Sequence, residues 1–137
     1  MTSAWLSVLA GLPILIIHLA ITTALLIGGV ALYVSLAPYR EFTLIREGNV
    51  AAAIILSGQT FALAIPLAAM LAHSVSVPDL VLWGLVTMFL QFIAIAAARL
   101  AVPKLPQLIQ RGEIGPALVA ASALIVTGIL NAAAMSG

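Results

Sequence analysis

PYREFTLIREGNVAAA, residues Pro38 to Ala53, decides how the rest of the chain is read. It holds four of the nine charged residues and separates two long apolar runs. A second stretch, PKLPQLIQRGEIGPA at Pro103 to Ala117, echoes it downstream and separates two more. Short charged connectors between apolar runs describe a chain that crosses a membrane and returns.

Composition enforces that reading. Of 137 residues, 64% are hydrophobic and 7% are charged, where a soluble domain carries about 25% charged residues. So few charges cannot clothe a water-facing surface, so the outer face must meet lipid. The net charge of +1 argues against nucleic acid, which requires a basic face to neutralise phosphates. The absence of cysteine removes disulfides, thiolate metal sites and cysteine nucleophiles.

A transmembrane helix needs about 20 mostly apolar residues to cross roughly 30 Å of hydrocarbon. Four runs qualify: Ala4 to Ala37, Val50 to Ala72, Leu80 to Val102, and Ile114 to about Met135. The first is longer than a crossing requires, so it should tilt or extend past the bilayer at its N-terminal end. It is expected to be a retained span rather than a signal peptide, because no Lys or Arg precedes Arg40 and the run is too long. The four runs predict one all-α membrane domain over residues 1–137, with no room for a soluble domain.

The basic residues set the expected orientation. Arg40, Arg46, Arg99, Lys104 and Arg111 all lie in or beside the two charged connectors, and the 73–79 connector has none. Positive residues stay cytoplasmic. Both termini and the 73–79 connector are therefore expected outside. Trp5 and Trp83 would sit at the outer interface, and Tyr33 and Tyr39 at the inner one, as aromatic belts prefer.

The connectors also suggest a duplication. Gly112 follows Gly48 by 64 residues, and at that offset Leu44-Ile45 aligns with Leu108-Ile109 and Arg40 with Lys104. This predicts two repeated helical hairpins in the same orientation, about 10–72 and about 74–135. Leu105, Leu108 and Ile109 share a helix face, so each connector should hold a short amphipathic turn on the inner surface. Gly48 and Gly112 suit the left-handed residue that ends a helix, and Asn49 is placed to cap the second span. The remaining connector charges read as a solvated face.

Taken together, Ala37-Pro38, Glu41, Leu44-Ile45 and Gly48-Asn49-Val50-Ala51-Ala52 carry a resemblance. It continues through Gly58, Pro66-Leu67, Ser74 to Asp79, Trp83-Gly84, Gln91, Arg99, Pro103, Gly112, Gly128 and Asn131-Ala132-Ala133. The chain resembles the domain-of-unknown-function 350 family of YjfL-like bacterial inner-membrane proteins. The resemblance implies a four-span protein with a duplicated hairpin and carries no settled activity. His73 stands where the family pattern has Asn, and Gly115-Pro116 where the second copy resembles Asn-x-Ala-Ala.

Polar residues inside the spans are the candidate site. Gln59 lies ten residues beyond Asn49, and Gln91 lies eleven before Val102. At 1.5 Å per residue both are roughly 15 Å deep, near the midplane. An amide in hydrocarbon needs a partner, so both should face the bundle interior, bonded to another helix or lining a path. His18 and Asn131 lie farther out. His18 reads as a neutral core histidine bonded to Asn131 or a backbone carbonyl, or as a proton-sensitive group. His73 and Asp79 are outer-face candidates, and Asp79 should cap the third span. A haem or metal site on His18 and His73 lacks the supporting ligands, so no metal or cofactor is expected. Arg99 should snorkel to the inner headgroups or pair with Glu41 or Glu47.

Small residues recur every fourth position at Ala20, Ala24 and Gly28, at Ala64, Ala68 and Ala72, and at Gly128 and Ala132. Such stripes let helix backbones approach. Pro66 should kink the second span or free a carbonyl near Ala62. No catalytic constellation is visible. The expected role is therefore a non-enzymatic accessory or scaffold subunit that packs with itself or other membrane proteins. The alternative is a homo-oligomeric channel or transport unit with a midplane polar layer.

Overall fold

A computed structural model describes residues 2–73 and 76–136, so Ser74 and Val75 of the 73–79 connector lie outside the described residues. The described chain is six helices: α1 Thr2–Leu36, α2 Glu41–Arg46, α3 Val50–His73, α4 Val77–Ala101, α5 Leu105–Gln110 and α6 Ile114–Ser136. Four of them, α1, α3, α4 and α6, are long and apolar enough to cross a membrane. Boundaries follow the expected runs except at α4, which starts at Val77 rather than Leu80. Ser76 is the reason: its Oγ accepts the Asp79 N–H at 3.4 Å, and Pro78 fits the first turn, which needs no N–H. Asp79 is thus a first-turn acid complementing the helix dipole, not the cap.

α3 is the central helix. Half of its apolar window is buried, against 11% for α1. Its closest partner is α6, which runs parallel to it: Gly58 abuts Ala121, and Ala62 abuts Gly128. A methyl group on Gly128 would sit 2.5 Å from the Ala62 carbonyl oxygen, so only glycine lets the two backbones come this close. Ala62 is four residues before Pro66, whose missing N–H leaves that carbonyl without its helical donor. α1 and α4 run parallel to each other, and α4 packs on α6 as well as on α3; Gly84 lies against Leu25 and Leu67, and Gly29 against Met88 and Leu63.

The two short helices end alike. Gly48 and Gly112 have φ of 90° and 77°. Gly48 N–H donates to Ile45 O and Asn49 N–H to Leu44 O; Gly112 N–H donates to Ile109 O and Glu113 N–H to Leu108 O. This is the Schellman closure, in which a left-handed residue lets the last carbonyls of the helix be satisfied. Each short helix turns its apolar side onto the bundle: Leu105 and Ile109 are buried, and Leu44 and Ile45 half-buried.

Candidate functional site

Two sets of polar groups are enclosed by the bundle. The first is at mid-height. Gln59 on α3 and Gln91 and Thr87 on α4 are all fully buried. Gly84 packs against Leu67, and seven residues toward the connectors on each antiparallel helix place Gln91 at the level of Gln59 and Thr60. The two amides thus share one level of the bundle but differ in what they bond. Gln91 Nε2 donates to the Leu124 carbonyl of α6 at 3.2 Å, and its Oε1 has no partner. Gln59 has no partner for either amide atom. Thr87 Oγ1 donates to Met135 Sδ at 3.0 Å, while Thr60 and Thr127 bond their own helices.

At the end away from the connectors, His73, Asp79, Trp83 and Asn131 border an open hollow of about 510 Å³. Asn131 Nδ2 is buried there without a partner. His18 is not part of this group. It lies half-buried on α1, and its carbonyl accepts the Thr22 hydroxyl at 2.8 Å. The expected bond from the Asn131 amide to His18 therefore does not form, because α1 packs beside α3 and α4 while Asn131 sits on α6.

The second set lies where α1 meets the first connector, and most of it escaped the sequence reading. Glu41 was expected on a solvated face but is fully buried. Tyr33 Oη donates to its Oε1 at 3.1 Å, and Oε2 has no partner. Tyr33 itself is 3% exposed, so it faces this carboxyl inside the bundle rather than joining an interfacial belt. Burial raises the Glu41 pKa to about 7, against the opposing pull of the Tyr33 hydroxyl, the Arg99 charge and the Tyr39 hydroxyl. Burial also pushes Tyr39 up to about 12. Arg99, half-buried on α4, is the charge that favours ionised Glu41. A signal was present in the sequence. Glu41 stands three and four residues before Leu44 and Ile45, on their face, at the register of buried Leu105.

The arrangement can hold a proton at Glu41 and can bond helices at Gln91. Among the described residues no cluster of three or more His, Asp or Glu could hold a metal ion.

Comparisons with known proteins point to one family of membrane proteins. The inner membrane protein YjfL of Escherichia coli (strain K12), named as UPF0719, is 31% identical over 105 residues, covering 77% of this chain and 80% of the relative. YjfL of Escherichia coli O157:H7 matches to the same extent. No solved structure matches. The sequence model of the Domain of Unknown Function (DUF350) matches residues 7–135. That match runs through all four apolar helices and both capped connectors, and the chain belongs to the DUF350 family.

Proposed function

We propose that this protein is a non-enzymatic accessory or scaffold subunit of the bacterial inner membrane that packs with itself or with other membrane proteins. Its YjfL relatives are named as inner membrane proteins, which supports the location. The five basic residues at the connector end support cytoplasmic connectors with both termini outside. The matched Schellman closures, 64 residues apart, support a duplicated hairpin.

The observation that carries the assembly reading is the outward face of α1. Ala20, Ala24 and Gly28 are exposed, and nothing lies within 4 Å of the position a Gly28 side chain would take. Ala68 and Ala72 of α3 are also exposed. Small residues give little contact to lipid but admit another helix backbone closely. The test uses the cysteine-free background. Gly28→Cys in native membranes should cross-link to a second copy or a discrete partner, and adding Ala20→Leu with Ala24→Leu to that variant should abolish it. An exclusively monomeric, uncross-linked protein overturns the reading.

The unpartnered Gln59 amide favours a second reading, a homo-oligomeric channel or transport unit with its path at the midplane. Ion and proton flux in liposomes that Gln59→Leu with Gln91→Leu abolishes would establish it. Absence of flux from folded protein would remove it.

A further inference from the structure

Two independent contacts fix where the bundle ends along α1. Gly29 packs against Leu63, and Gly84 against Leu25. Ten residues beyond Leu63, α3 ends at His73; seven before Gly84, α4 begins at Val77. Counted back along α1, both place the far end of the bundle at His18 and Leu19. The segment Thr2 to Ile17 stands beyond it, about 24 Å of helix at 1.5 Å per residue. Every residue in that segment is exposed, and none is charged.

Lipid hydrocarbon alone does not cover this segment. The 24 residues of α3 span about 36 Å, which already fills the roughly 30 Å apolar core of a bilayer. A straight continuation of α1 would carry Trp5, Leu6 and Leu9 out into water.

The segment has two faces. At 100° per residue, Trp5, Leu6, Val8, Leu9 and Leu12 fall in one sector, and Ser3, Ala4, Ser7, Ala10 and Gly11 in the opposite one. The two sectors do not overlap. Pro13 lies inside α1, where the missing N–H and the ring clash make a preferred bend point. It stands five residues above the bundle end, about 7 Å, which is the depth of one headgroup layer.

We infer that Thr2–Leu12 is a membrane-surface element. It pivots at Pro13 and lays its bulky face into the interface of the leaflet opposite the connectors, with Ser3 and Ser7 toward water. Trp5 then sits at headgroup level, where indole prefers to lie. The partner is the lipid surface itself. With no Lys or Arg in the segment, binding comes from apolar burial and needs no anionic lipid. The inference does not depend on whether copies associate.

The test labels the full chain one residue at a time, since it has no cysteine. Single cysteines from Ser3→Cys through Leu12→Cys carry a nitroxide, in phosphatidylcholine vesicles. Collision with oxygen reports lipid, and collision with a water-soluble nickel chelate reports solvent. The expected result is a helical period: positions 5, 6, 8, 9 and 12 shift toward oxygen at one shared shallow depth, and 3, 7 and 10 shift toward nickel. Depth that changes steadily from residue 3 to residue 12 means a tilted continuation of the span and overturns the inference. Uniform nickel access, or shielding from both reagents by a second copy or another protein, also overturns it. In a Pro13→Ala background the shared depth should be lost; its survival removes the pivot.

Discussion

Asn49 and Ile109, sixty residues apart, are joined by a hydrogen bond of 2.8 Å from Asn49 Nδ2 to the Ile109 carbonyl. The same amide reaches the Gln110 carbonyl at 3.5 Å. Its oxygen meanwhile accepts the Ala52 N–H at 3.0 Å. One side chain therefore caps the start of α3 and the end of α5, and ties the two connectors together. Asn49→Ala should lose both functions and cost about 1–2 kcal/mol. Asn49→Ser keeps a capping acceptor for Ala52 but is too short to donate to Ile109, so it should fall between Ala and wild type. Thermal unfolding in detergent measures the order; equal loss from both variants would mean that only the link to α5 matters.

The four apolar helices were readable because the length and composition that a crossing requires are written along the chain. The connector ends were readable because Leu-Ile-x-x-Gly has one good closure. Which face each span buries was not. In water, an apolar stripe marks the core; in a bilayer both the core and the lipid face are apolar, so periodicity loses its meaning. Hence Ala20, Ala24 and Gly28 turn outward while neighbouring Gly29 packs on Met88. Glu41 was misread for a related reason: the sequence places it in a polar connector, and only its shared face with Leu44 and Ile45 hints at burial. That Gln59 and Gln91 share a level was readable from their distances to the connectors, but their bonding depends on side-chain reach, which spacing does not encode.

The helix contacts make a contrasting pair of predictions. Adding a methyl at Gly58 would place it 2.6 Å from Ala121 Cβ, a side-chain clash. Gly58→Ala should destabilise by about 1–3 kcal/mol, and Ala121→Gly should recover part of the loss. Gly128→Ala instead meets the Ala62 backbone, so Ala62→Gly should recover little. A double-mutant cycle on detergent stability separates the two; full recovery at Gly128 would show that the backbones can slide apart.

Glu41 predicts a pH dependence. Its pKa is raised to about 7 in the folded chain, so the folded state holds a proton that the unfolded state releases near the ordinary carboxylate value. Stability should be highest below that value. It should fall as pH rises through the window up to about 7, by at most about 3 kcal/mol, and level off above. Glu41→Gln mimics the neutral carboxyl and should flatten the slope while keeping an acceptor for Tyr33. Melting temperature in detergent between pH 4 and 8 reads both. A wild-type slope that persists in Glu41→Gln would assign the titration to another group.

Gln59 and Gln91 share a level but not an energy. Gln91→Leu removes the bond to the Leu124 carbonyl and should cost about 1 kcal/mol or less. Gln59→Leu removes an amide whose two polar atoms are buried without partners. Leucine of similar volume lifts that desolvation penalty, so the variant should match or exceed wild-type stability. Unfolding in detergent, run on both variants, compares them directly. If Gln59→Leu proves the more damaging, its amide holds a water or ion in the membrane, and the midplane layer becomes a binding site rather than buried packing.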